Sequence, residues 1–445
     1  MADDTLHLDD LLLPFHKAET PRSGWVIGTE AERFGVRSDG RPVHYAGEAG
    51  VATVLGRLAD RHSWTPTPET PGGPLISLRK GNASVTLEPG AQIELSGAPL
   101  RTIHETAAEF ADHSAELKSV GADLDIEWLG LGYHPFARQE DLDWVPKLRY
   151  GVMRDYLLTR GSRARDMMRR TCTVQANLDY ADESDAIRKL RVGLAATPIV
   201  TAMFANSPWS EGSFQGLRSH RTEVWQDVDP DRTGLLPFLW EGDVGYREYV
   251  EWVLDAPMFL IKREGRVVHN TGQTFRSFLA DGFEGHRATM IDWETHINTM
   301  FPEVRLKSTL EMRSTDSQNI HHLPAIPALW KGLLYEDQAL SAAEALLEPL
   351  ACADATKAQS AVAETAMDAV YGGRSMKEWS SDLLGIAAAG LQRLGDTNSE
   401  GEDESIYLRS IQDLQGRCPA DVLLEKAPGE TPDTTDIIAA SRFSD

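Results

Sequence analysis

Four separated stretches of this chain alternate apolar and polar residues with a period of two, and the polar positions hold acids, amides or arginine. Side chains of a strand point to alternate faces, so each stretch predicts strand structure with one apolar and one polar face. In "GWVIGTEAERFGV", Glu30 and Glu32 share a face. In "SVTLEPGAQIELSG", two strands fold over Pro89-Gly90; Val85, Leu87, Ile93 and Leu95 take one face, Glu88 and Glu94 the other, with no basic residue interleaved. In "RTCTVQANLDY", Thr173, Gln175 and Asn177 oppose Val174, Ala176 and Leu178; in "VRLKSTLEMRS", Glu311 and Arg313 oppose Leu310 and Met312.

Two readings are open. A single polar strand face is most often the wet outer side of an antiparallel sheet. Wet faces, however, usually mix basic and acidic residues, because like charges set opposite one another are destabilising. If the strands are neighbours, Glu30, Glu32, Glu88, Glu94 and Glu311 converge and require cations. Oxygen donors without a Cys or His cluster select Mg²⁺ or Mn²⁺. Several such ions together suit phosphoryl transfer. The chain has no GxxxxGK[ST] loop, and "GLGYHP", with Gly130 and Gly132, is only a fragment of a Gly-rich pattern. Nucleotide phosphates would then fall to metals and to Arg149, Arg221 and Arg313. No HExxH or GxSxG is present, which disfavours zinc proteases and α/β-hydrolases. His321-His322 reads as a loop, and Cys172 as a packed rather than nucleophilic residue.

The formal charge of -24, from 44 basic against 68 acidic residues, argues against binding nucleic acid or an anionic membrane. Cys172, Cys352 and Cys418 form no CxxC pair, which fits a reducing compartment. The acidic start "MADDTLHLDDLLLPFHK" is neither a signal nor a transit peptide, and "VGLAATPIVTAMFA" is too short and broken to span a bilayer; a cytosolic setting is expected. Strand-like pieces at 25–36, 75–96, 125–133, 171–180, 256–268 and 304–313 mix irregularly with helical ones. Helices are expected over 106–124 and over 184–205, the latter with Ser184 as N-cap. The absence of βαβ alternation predicts an α+β fold around an antiparallel sheet. We expect one catalytic domain over 1–390, helix-rich from about 325, followed by an acidic loop and tail over 391–445 in which "KAPGETPDTTD" is loose.

Several motifs carry a resemblance in chain order: "IGTEAERFG", "LEPGAQIELSGAPLRTIHET", "PKLRYGVMRDYL", "DMMRRTCTVQANLDY", "ANSPWSEG", "WQDVDPDRTGLLPF", "FPEVRLKSTLEMRS" and "PALWKGLLYED". They resemble the plant-type glutamate–cysteine ligases, from about Trp25 to Tyr335. The resemblance implies a glutamine-synthetase-like catalytic fold: a curved antiparallel sheet whose acidic inner face lines a funnel flanked by helices. It implies an ATP-dependent reaction in which the γ-carboxylate of L-glutamate becomes γ-glutamyl phosphate and the L-cysteine amine displaces phosphate. Glu30, Glu32, Glu88, Glu94, Gln175 and Glu311 are thereby implied as metal-site residues for Mg²⁺ or Mn²⁺, with Glu88 and Glu94 also catalytic. Arg149 and Arg221 would clamp the glutamate α-carboxylate, a bidentate task that suits arginine. Arg313 would stabilise the transferring phosphoryl group, and Tyr150, Met168 and Phe259 would lie at the cysteine pocket. The family's partners are small molecules, and a monomer or weak homodimer is expected.

Two departures stand out. The plant enzymes' switch cysteine, just before the "ALPAFW"-like helix, is Pro324 here, which implies that their regulatory disulfide is missing. The family's "DVPMY" is "DAPMF", placing Phe259 where a pocket Tyr is usual. A γ-glutamyl ligase with another amine acceptor would share the donor half of the site. A non-catalytic relative would have lost acids that are all in place here.

Overall fold

The computed structural model describes residues 6–263 and 266–444. Its main element is a nine-stranded sheet. The strands are β1 (Ile27–Val36), β2 (Thr65–Pro66), β3 (Ser77–Lys80), β4 (Ala83–Leu87), β5 (Ile93–Ser96), β6 (Glu127–Leu129), β7 (Thr173–Leu178), β8 (Val304–Leu306) and β9 (Leu310–Asp316). Their order is β8-β9-β7-β1-β5-β4-β3-β2, with β6 on the far end of β1, and the pairs are antiparallel. The helices that matter for the site are α1 (Ile103–Ala122), α2 (Leu148–Leu157), α3 (Ala164–Arg170), α4 (Glu183–Met203), α5 (His220–Trp225), α6 (Ala325–Leu334), α7 (Met376–Leu394), α8 (Pro419–Lys426) and α9 (Thr434–Ser441). The α+β architecture around an antiparallel sheet is therefore as the alternation predicts.

The period-two pattern works as expected on the apolar side. Leu95, Ala31 and Val174 align across β5, β1 and β7, and all are buried. Helix α4 lies over the back of β8 and β9. A Cβ at its Gly193 would stand 3.1 Å from Val304 Cγ2 and 3.2 Å from Met312 Sδ, so glycine there lets helix and sheet approach closely. The N-cap of α4 is Asp182, whose carboxylate accepts from Asp185 N. Ser184 lies inside the helix instead, because the Asp182 carboxylate two places earlier already satisfies a first-turn N–H.

Gly130 and Gly132 belong to no phosphate loop. Added Cβ atoms would meet the Gln318 carbonyl at 2.4 Å and Asp316 Cγ at 2.2 Å, so Gly130 lets two backbone segments touch and Gly132 makes room for the Asp316 side chain. The expected strand 256–268 is a short hairpin, Ile261–Arg263 with Arg266–Val268, whose residues 264–265 lie outside those described, as do the first five residues of the N-terminal motif. His321 and His322 occupy a turn.

Of the stretch 426–436 expected to be loose, Lys426 ends α8 and 434–436 open α9; the loop between them, 427–433, is mostly exposed, with Ala427 buried, and the chain beyond it is packed. Phe443 N donates to the Trp128 carbonyl and Gly130 N to the Ser441 carbonyl. Phe443, 2 % exposed, covers Arg33 on the apolar side of β1, with 3.8 Å from guanidinium to ring. Burial pulls that guanidinium down to about 9. Among the described residues no helix is long and apolar enough to cross a membrane.

Candidate active site

Register brings the acids together. Glu32 stands opposite Glu94 across β1 and β5, and Glu30 opposite Gln175 across β1 and β7. Glu311 faces Asn177 on one side and Arg305 on the other. The strands that carry these residues are sheet neighbours, and their shared face bounds a cavity of about 660 Å³. Glu30, Glu32, Glu88, Glu94, Gln175 and Arg313 line it from the sheet side; Arg149, Tyr150, Met168, Arg221 and Phe259 line it from the other elements. The reading as a solvated outer face is thus excluded. A second cavity, about 530 Å³ beside Arg191, Trp240 and Glu344, holds none of the expected site residues.

Three placements differ from expectation. Glu88 is not a strand residue: β4 ends at Leu87 and Glu88 opens the turn to β5, its carbonyl accepting from Ala91 N at 3.0 Å. Ala91 closes that turn with φ +71°, a conformation that a non-glycine residue adopts only where its surroundings impose it. Glu311 is fully buried and outside the cavity lining. It pairs at 2.6 Å with each of Arg305, Lys307 and Arg313, which hold its carboxyl well below the usual range. Finally, the acids are not without basic neighbours, since cations arrive from other segments. Lys147 and Arg149, just before and in α2, line the cavity with Glu88 and Glu94, as does Arg221 with Glu32.

The local geometry has identifiable causes. Between Met312 and Thr315 the β9–β7 register shifts, a bulge of the kind that re-aims side chains beside active sites. The bulge turns the carbonyls of Arg313 and Ser314 toward Arg221, whose Nη2 and Nη1 donate to them at 2.7 and 3.1 Å. Arg313 Nη1 donates to Gln175 Oε1 at 2.8 Å and Glu311 Oε2 at 2.6 Å. Tyr150 Oη donates to the Leu87 carbonyl at 2.8 Å, and Lys147 Nζ donates to the same carbonyl at 2.7 Å. Met168 and Phe259, 3 % and 1 % exposed, share one apolar cluster.

The electrostatics separate the acids into two groups. Glu30 is pushed up to about 7, by burial first and then by Glu311 and Glu94. Glu32 and Glu94 are also raised, by burial and then by Glu88. These carboxylates lack sufficient counter-charge, whereas Glu311 has it in excess. An all-oxygen donor set short of positive charge fits Mg²⁺ or Mn²⁺, and Glu30, Glu32, Glu88 and Glu94 are the residues that would supply it. Among the described residues, as they stand, no three such groups converge on one point. The residues missed by sequence reading, Lys147, Arg305 and Lys307, had one available signal: Arg305 and Lys307 keep the period-two phase of Glu311 and Arg313 in "VRLKSTLEMRS".

A sheet face carrying carboxylates short of counter-charge, edged by arginines and closed by an apolar pocket, has the make-up of an enzyme site for charged small-molecule substrates. Comparison with known proteins makes this specific. The profile of glutamate–cysteine ligase family 2 (GCS2) matches residues 26–441. The chloroplastic glutamate–cysteine ligases of Brassica juncea and Arabidopsis thaliana are each 40% identical over 442 residues, 98% of this chain and 84% and 83% of theirs. This chain belongs to the glutamate–cysteine ligase family 2.

Among solved structures, a glutamate–cysteine ligase from Francisella tularensis in complex with AMP superposes with TM-score 0.57 at 13% identity, covering 94% of this chain and 87% of that one. A bifunctional glutathione synthetase from Pasteurella multocida gives 0.50 at 13% identity, over 97% of this chain and 52% of that one. These establish the shared ligase fold. The cytosolic setting expected from sequence is corrected by the plant relatives, which are chloroplastic enzymes and point to a plastid. Cysteine usage distinguishes a reducing from an oxidising interior, and more than one compartment is reducing.

Proposed function

We propose that the protein joins the γ-carboxylate of L-glutamate to the amine of L-cysteine with ATP, forming γ-glutamylcysteine, ADP and phosphate. The observation that carries this reading is the single cavity in which acids, arginines and an apolar pocket meet, in a chain of this family. A γ-carboxylate oxygen attacks the γ-phosphorus of ATP and ADP departs. The cysteine nitrogen then attacks the activated carbonyl carbon, phosphate departs with the bonding pair, and the amine loses a proton.

Arg221, braced by the Arg313 and Ser314 carbonyls, and Arg149 at the cavity mouth bind the glutamate α-carboxylate. Arg313 commits Nη1 to Gln175 and Glu311, and the rest of its guanidinium serves the transferring phosphoryl oxygens. Such a donor, fixed before the charge develops, is worth about 3–4 kcal/mol of transition-state stabilisation. Tyr150, Met168 and Phe259 receive the cysteine side chain. Bound divalent cations, held by Glu30, Glu32, Glu88 and Glu94, would neutralise the polyphosphate; Gln175 and Glu311 instead fix Arg313, and Glu311, with three cationic partners, is not a metal ligand.

Phosphate release from ATP and L-glutamate, measured with a panel of amines, tests the reading. L-Cysteine should give the highest kcat/KM. Equal rates with unrelated amines would shift the assignment to a different γ-glutamyl ligase, and no amine-dependent release would overturn it.

A further inference from the structure

We infer that Arg232, which does not touch the cavity, is a positioning residue that sets acceptor specificity. The inference rests on the reading that the Phe259 end of the cavity receives the cysteine side chain. Arg232 and Asp229 are both fully buried and paired, Arg232 Nε to Asp229 Oδ2 at 2.7 Å. The remaining guanidinium nitrogens reach two other segments. Nη2 donates to the Pro257 carbonyl, and Nη1 to the carbonyl and hydroxyl of Thr299 at 3.2 and 3.3 Å. The Arg232 carbonyl accepts from Phe301 N at 2.8 Å. Its guanidinium lies 4.0 Å from the centroid of the Phe259 ring, which packs edge-to-face with Tyr156, ring centroids 5.3 Å apart.

Three chain segments that are distant in sequence are therefore pinned to one planar cation. Two of them carry the cavity wall: Phe259 and Leu260 on one, Thr299 and Phe301 on the other. Only a fork with several fixed donors can hold an Asp, two carbonyls and a ring face at once; an ammonium on a flexible stem cannot. The expected consequence of loosening this hub is a shifted wall at the acceptor end, with the glutamate and nucleotide ends unaffected.

The test is steady-state kinetics of Arg232→Lys and Asp229→Asn in the full chain, with melting temperature as the check on folding. For Arg232→Lys the KM for L-cysteine should rise about 10-fold or more, since small displacements of positioning groups are costly. The KM values for glutamate and ATP should stay within about twofold, the signature of a local binding defect. The preference for L-cysteine over L-2-aminobutyrate should fall in the same variant, and Asp229→Asn should shift both quantities the same way by less. A folded Arg232→Lys with unchanged cysteine KM overturns the inference, as does a parallel rise in all three KM values. If Arg232→Lys does not fold, Asp229→Asn decides by the same criteria. A parent enzyme that does not prefer cysteine to unrelated amines would instead overturn the acceptor reading on which the inference stands.

Discussion

Glu32 and Glu94 face each other directly across β1 and β5, 8 % and 9 % exposed. Glu32 Oε2 accepts from Thr173 N at 3.0 Å; Glu94 Oε1 accepts from Ser96 Oγ at 2.7 Å and Thr86 Oγ1 at 3.2 Å. These bonds orient both carboxylates but do not neutralise them. Opposed like charges destabilise a strand pair, so the fold gives up stability here to hold a site that attracts cations.

Glu94→Gln should therefore raise the melting temperature in the absence of divalent cations while lowering kcat about 100-fold or more, the scale of losing one electrostatic stabiliser. Differential scanning fluorimetry and phosphate release measure the two effects. A variant with near-normal turnover would show that the carboxylate has no catalytic part.

Without divalent cations, the raised carboxylates should add stability as pH falls from about 8 toward 5, against the opposite contribution of the buried His113, His134, His220, His296 and His322, which burial holds below the ordinary imidazole value. Glu30, held at about 7 in the folded chain against an ordinary 4.5, binds its proton earlier folded than unfolded, and Glu32 and Glu94 shift the same way. Their penalty is full above the folded value and is relieved on descent through it. Glu311 is depressed; its contribution is present above the ordinary value and is lost only in stronger acid. Saturating Mg²⁺ should flatten the profile, because bound cations keep the carboxylates ionised. The carboxylate part is read as the difference between the parent and Glu30→Gln in cation-free buffer: the variant's melting temperature should gain less on acidification, and identical pH profiles would contradict the assignment.

Arg221→Lys should raise the KM for glutamate about 10-fold or more with a smaller effect on ATP, since an ammonium cannot keep both carbonyl bonds and also present two donors to a carboxylate. Initial rates over a glutamate titration give the answer. An effect confined to ATP would move Arg221 to the nucleotide end.

Reductant should change activity by less than about twofold, because thiols far from thiolate form are inert. Cys172 and Cys418 are buried, and burial raises all three thiols. Position 324, where the plant enzymes' switch cysteine would stand, is a proline at the N-cap of α6. Oxidant treatment followed by dithiothreitol is the measurement; a reversible change of several-fold would implicate half-buried Cys352.

Phe259→Tyr should change cysteine kinetics and leave the KM for glutamate nearly unchanged. The hydroxyl would enter a wall that is 1 % exposed and is lined by aromatic rings, the Met168 thioether and the Arg232 guanidinium, where sulfur–aromatic contact is worth about 0.3–1.5 kcal/mol. A change in glutamate kinetics alone would place Phe259 outside the acceptor end.

The sequence by itself determined the strands and the facing of their residues, because side-chain alternation is a local property of extended backbone. Glu30 with Glu32, and Glu311 with Arg313, needed nothing beyond their spacing. α1, α4 and the helix-rich region from about 325 were legible for the same local reason, apart from the Asp182 cap, whereas α2, α3 and α5, and α8 and α9 in the stretch expected to be a tail, were not. Which strands are neighbours is not local, and only the tertiary structure decided it. It set Glu32 against Glu94, moved Glu88 from a strand into a turn, and introduced the bulge that aims the 313–314 carbonyls at Arg221. It also gathered the counter-charges: Lys147 and Arg149 reach the cavity from beyond the hairpin, and Arg305 and Lys307 close on Glu311 from across a turn. Charge is balanced through space rather than along the chain, so a hairpin read alone shows acids without partners, while the fold shows which acids are neutralised and which are left short of counter-charge.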